Sequence, residues 1–170
     1  MTARSARPPA AHPRSPMILV DGPDASGATV TALQTASDEQ FGLCYVVEVG
    51  KSDAAAYSDL ADFLLVEHDG GLDDIARAIR WVIAQPPIDD RPPVLVIDCG
   101  SDLWGLVRSD AEARARASKE TTAMLEVDPH AEVVIGATHW NAAKDEYLWP
   151  WLRQLRTWPG ITVVTADSED

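Results

Sequence analysis

An α/β fold, with a mostly parallel sheet and helices on both of its faces, is predicted by three observations. Short runs rich in β-branched residues alternate with longer segments whose apolar residues recur at helical spacing. No two of those runs are joined by a hairpin signal. Two of them, Met17–Val20 and Val94–Ile97, are continuous apolar stretches, the pattern of strands covered on both faces. A length of 170 residues fits one domain, large enough to bury roughly two-thirds of its unfolded surface.

Met17–Val20 is too short for a helix and runs into Gly22-Pro23, so it reads as a fully buried strand. From about Ala28 the spacing of Val30, Leu33 and Ala36 predicts a helix that ends before Gly42. Leu43–Val49 is a second strand closed by Gly50, and Phe63–Val66 a short third one. Leu72, Ile75, Ile79, Val82 and Ile83 share a helical face, with Asp73 and Asp74 at the end where the helix dipole favours acids. Pro86-Pro87 stops that helix, and Pro92-Pro93 introduces the strand Val94–Asp98. Ser101 to about Leu125 reads as helix with a break near Ser109, and Val133–Ile135 as a minor or edge strand. Trp140 to Trp158 is helical, kinked or restarted at Pro150, with Leu148, Trp151, Leu152 and Leu155 on one face. Ile161–Thr165 is the last buried strand.

Composition narrows the function. A net charge of −13 repels a polyanion over most of the surface, so a nucleic-acid role needs a local basic patch. Arg108, Arg114, Arg116 and Lys119 on one helix, with Arg153 and Arg156 on the next, are the residues that could form one for DNA. Glu112 and Glu120 interrupt the first group, and salt-bridged helix surface is the simpler reading. Cys44 and Cys99 fall in or beside strands without metal spacing or a disulfide framework, which favours a reducing, cytoplasmic setting. No run of about 20 apolar residues is present, so no membrane partner is expected. Residues 1–16 carry four prolines and three arginines without a signal-peptide core, and read as a disordered Pro/Arg-rich tail ahead of a domain spanning 17–170.

In parallel sheets ligands bind at the carboxyl ends of the strands, where Asp21, Glu48, Asp98 and Thr165 all arrive. The stretch after the first strand, Gly22-Pro23-Asp24-Ala25-Ser26-Gly27-Ala28-Thr29, has the spacing of a phosphate-binding loop, G-x-x-x-x-G-K-[ST]. Such a turn between strand and helix lets backbone N–H groups wrap a phosphate, and the helix N-terminus adds partial positive charge. Thr29 offers a hydroxyl to Mg²⁺, and Asp98 is the kind of strand-end acid that holds the metal's water shell. Ala28 stands where the motif has lysine.

These residues resemble a RecA-like P-loop ATPase, closest to the AAA-class ATPases of actinobacterial phages. The resemblance rests on Ile18–Thr29, on Val94–Trp104, on His139-Trp140-Asn141 and on Arg156–Ala166. It implies a three-layer P-loop NTPase core that binds ATP and Mg²⁺, with the last strand between the loop strand and the Asp98 strand. It further implies that Thr165 serves as a γ-phosphate sensor and Glu48, after the second strand, as the water-activating acid, and that the protein belongs to a phage recombination or replication system in the host cytoplasm. Relatives often form rings or filaments, so a homo-oligomer, or pairing with an active homologue, is expected. They continue past Thr165-Ala166 with further strands, so the sheet is expected to be short at its C-terminal end.

Ala28 removes a positioned charge whose loss in comparable sites costs roughly a hundredfold or more in rate. The expectation is therefore an ATP-binding protein with impaired hydrolysis; the alternative is a nucleotide-free P-loop scaffold or interaction module. Lys51 after the second strand reads as a solvated surface charge, and His68, beside Glu67 and Asp69, as a solvated loop residue. Trp81, Trp151 and Trp104 are assigned to core packing.

Overall fold

A computed structural model of the chain describes residues 15–23 and 25–168. Asp24 and the expected tail up to residue 14 lie outside the described residues. Ser15 and Pro16, assigned to that tail, are tied to the body: the Ser15 hydroxyl donates to the Trp158 carbonyl, and the Pro16 carbonyl accepts from Thr162 N–H at 3.0 Å.

Five strands form one all-parallel sheet: β1 (Met17–Gly22), β2 (Cys44–Glu48), β3 (Leu64–Leu65), β4 (Val94–Asp98) and β5 (Ile161–Asp167). Their order across the sheet is β1-β5-β4-β2-β3, so the last strand does lie between the first and the Asp98 strand. Among the described residues the α-helices are six: α1 (Ala28–Ala36), α2 (Leu72–Ile83), α3 (Gly100–Arg116), α4 (Lys119–Val127), α5 (Ala137–Tyr147) and α6 (Trp149–Leu155).

Alternation along the central strands builds two cores. On one face Ala32, Leu33 and Ala36 of α1 pack against Val46, Val94, Val96 and Val163. On the other, Ile75, Ile79 and Val82 of α2, with Trp151 and Leu155 of α6, cover Tyr45, Val47, Leu95 and Ile97. Strands buried on both faces have no need of polar alternation, which is why β4 reads as an unbroken apolar run. Each such fully buried Val, Leu or Ile contributes roughly 1.5–3 kcal/mol relative to an exposed one.

Four expectations change. Met17, Ile18 and Leu19 are exposed rather than buried, Leu19 at 65%, because among the described residues β1 pairs with β5 alone and stands at the sheet's edge. Helix α3 runs through Ser109, whose hydroxyl donates to the Gly105 carbonyl at 3.0 Å and so is satisfied inside the helix. The break comes at Ala117–Ser118 instead, where the Ser118 side chain accepts from Thr121 N–H and caps α4. Val133–Ile135 forms no strand: Val134 is exposed, and Ile135 packs beside Val107, Ala111 and Ala143 between α3 and α5. Trp81 and Trp104 are about half exposed and only Trp151 of the three is buried, since Trp81 lies edge-on to Tyr45 and Trp104 stacks on Trp140 at 5.2 Å.

Pro150 restarts the helix, standing in the first turn of α6 where its missing N–H costs no hydrogen bond. No described helix is long and apolar enough to cross a membrane.

Candidate functional site

At the carboxyl edge of the sheet, β1 turns into α1 through a loop with backbone hydrogen bonds at both of its ends. Ser26 N–H donates to the Pro23 carbonyl at 3.0 Å, and Thr31 N–H to the Gly27 carbonyl at 2.9 Å. Ala25 and Gly27 both take left-handed conformations, φ +60° and +88°. Left-handed residues in a tight turn are the pattern by which successive N–H groups line an anion-binding concavity. Gly27 is also the N-cap of α1, so the loop delivers its chain to the positive end of the helix. Gly22 has a steric role: a Cβ there would lie 2.4 Å from the Ser26 hydroxyl oxygen.

Asp98 is the hub. Only 2% exposed at the end of β4, its carboxylate accepts from three hydroxyls on three different elements. Thr29 of α1 lies 3.2 and 3.1 Å from its two oxygens, Ser52 donates to Oδ2 at 2.5 Å, and Thr165 of β5 donates to Oδ1. The strand order makes this convergence possible, since β5 brings Thr165 between β1 and β4. Gly100 lets α3 start against β5, because a Cβ there would meet Val164 Cγ1 at 2.5 Å.

Between these elements lies a cavity of about 640 Å³, within the usual span for small-ligand sites. Pro23, Ala25, Ser26, Gly27, Ala28, Thr29 and Asp98 line it. Gly22 and Thr165 are not among the described lining residues, and Asp24 lies outside the described residues. Glu48 is not among the lining residues: its Oε1 accepts from Ala54 N–H at 2.5 Å and holds the short 3-10 turn Ala54–Tyr57.

Ser52, with its neighbours Lys51 and Asp53 in the wall of the same cavity, is the contribution that sequence reasoning missed. The available signal was position, since Gly50-Lys51-Ser52-Asp53 follows β2 at the same carboxyl edge. His68 is drawn in from its expected solvated role, with Nε2 2.6 Å from the Glu48 carbonyl oxygen.

The donor set around Asp98 is all oxygen, with one carboxylate and three hydroxyls. Mg²⁺ uses such donors sparingly, keeping several waters and relying on one or two carboxylates together with substrate phosphates. No grouping of three or more His, Cys, Asp or Glu suited to a metal exists among the described residues. The cavity is otherwise acidic: Asp53, Asp102 and Asp167 join Asp98 in lining it, against Lys51 as the one cation among the described lining residues.

Two of the basic residues of α3, Arg114 and Arg116, are engaged with acids. Arg114 reaches both Asp110 and Glu146, whose hydrogen bonds raise its already high pKa, and Arg116 pairs with Glu112 at 2.9 Å. Of the interrupting acids, Glu112 is the one that pairs with this group, at i,i+4 to Arg116.

Compared with models of known protein families the chain matches none, and no match is found among curated proteins.

Proposed function

We propose that this protein binds a Mg²⁺–nucleotide, ATP in the first instance, at the loop 22–29, and that it hydrolyses it poorly. The observation that carries the reading is the convergence of Thr29, Asp98 and Thr165 beside a left-handed glycine loop capping a helix. Backbone N–H groups and the α1 dipole would hold phosphate oxygens, and Thr29 with Asp98 would hold the metal and its waters. The metal's positive charge matters here more than in an ordinary phosphate loop, because it must offset an acidic wall. ATP hydrolysis suffers from Ala28, since no cation stands at that point of the loop to stabilise charge developing on the transferred phosphoryl group. A phage recombination or replication system, and assembly with copies of itself or an active homologue, extend the same reading by resemblance.

The acidity of the cavity favours a second reading, a nucleotide-free scaffold that keeps the loop for its fold. A thermal-shift comparison of the native chain and Ala28→Lys, each with and without Mg-ATP, separates the two. Ligand at about a hundred times its dissociation constant stabilises by about 2.7 kcal/mol, or roughly 5–11 °C for a domain of this size. The nucleotide reading expects a rise in both proteins, larger in Ala28→Lys. No rise in either rejects it and leaves the scaffold.

A further inference from the structure

We infer that Lys51 gives, from the loop after β2, the cationic contact to bound phosphate that the glycine loop lacks at Ala28; this rests on the nucleotide-binding reading above. Lys51 lines the same cavity as Gly27, Ala28 and Thr29, and is the one cation among the described lining residues. Among the described residues it enters no ion pair, although four carboxylates line that cavity.

Its backbone is anchored at the site on both sides. Val49 N–H donates to the Asp98 carbonyl at 2.6 Å, and Lys51 N–H donates to Asp102 Oδ2 at 3.1 Å. The next residue, Ser52, donates to Asp98 Oδ2, the carboxylate that Thr29 also contacts. Gly50 makes this course possible: it has φ +74°, and a Cβ on it would fall 2.0 Å from Asp102 Oδ2. The loop is therefore fixed one residue away from the Thr29–Asp98 pair, and it presents there a flexible four-carbon stem ending in a point charge. A phosphate-loop lysine acts in the same way, as a point charge on phosphate oxygens, and such a charge is set by position rather than by the element that carries it.

Titration calorimetry with Mg-ATP on the native chain, Lys51→Ala, Lys51→Gln, Ala28→Lys and the double variant Ala28→Lys/Lys51→Ala tests this. Neutralising Lys51 in either way should weaken binding tenfold or more, and Ala28→Lys should restore the double variant to within about threefold of Ala28→Lys alone. Such compensation is not produced by a folding defect. Native-like affinity in Lys51→Ala and Lys51→Gln overturns the role of Lys51 and leaves the nucleotide reading intact. Binding by Ala28→Lys but not by the native chain also overturns the role of Lys51, and it limits the nucleotide reading to a site that the native loop leaves disabled. No binding by either of those two proteins removes the nucleotide reading itself, and the inference with it.

Discussion

Replacing Thr165 with valine should destabilise the domain, whereas the same replacement three residues earlier in the strand should not. Thr165 is 2% exposed and its hydroxyl donates to the buried Asp98 carboxylate. Valine keeps the shape and removes the donor, leaving Oδ1 only the Thr29 hydroxyl at 3.2 Å. A hydrogen bond to a charged group contributes about 1.5–3 kcal/mol, so a loss near 2 kcal/mol is expected. For a domain of this size that lowers the melting temperature by roughly 4–8 °C. Thr162 is the internal control: it is fully buried on β5, but its hydroxyl has no partner among the described residues. Removing an unsatisfied hydroxyl is neutral or stabilising. Differential scanning calorimetry of Thr165→Val and Thr162→Val side by side reads the difference. Equal shifts in the two variants would refute the assignment of Asp98 as a hub whose hydroxyl partners stabilise the fold.

Gly160→Ala should cost about 1–3 kcal/mol by overpacking, because its Cβ would sit 2.5 Å from the buried Trp158 ring and 2.6 Å from the Pro93 carbonyl oxygen; an unchanged urea midpoint would contradict the packing. Burial pushes the Cys44 thiol up to about 12. The folded state therefore keeps a proton that the unfolded chain releases near pH 9, and stability falls as pH rises from about 9 towards 12, by up to about 4 kcal/mol. Cys44→Ala should flatten that alkaline decline, and Cys44 should resist alkylation of the folded protein at pH 8. Ser118→Ala removes the α4 cap and should cost about 0.5–2 kcal/mol, read as faster amide exchange in the first turn of α4.

The elements easiest to read in the sequence were those with local causes. Val94–Asp98 is bounded by prolines and an acid, and α2 by Gly71 and Pro86, so pattern and punctuation agree with the strand and helix formed there. The burial of β1 was not legible: an apolar tetrad looks the same at a sheet's centre and at its edge, and which it becomes depends on pairings made over 140 residues away. Likewise Val133–Ile135 is apolar because Ile135 packs between helices, a reason that local β-propensity cannot distinguish from a strand. At the site, Thr29 and Asp98 stand out by a known spacing and Thr165 by the strand order that the resemblance implies, and the fold brings the three side chains together. Ser52 lies in a short polar loop with no spacing of its own, and only the pairing of β2 with β4 brings it to Asp98.

Hydrogen exchange of the native chain with and without Mg-ATP tests the central claim most directly, because it reads the backbone groups that are said to hold the phosphate. Slowed exchange concentrated at residues 25–31 and 49–53, abolished by chelating the metal, is the predicted result. Unchanged exchange in both segments at millimolar Mg-ATP, or protection confined to another part of the fold, would contradict it.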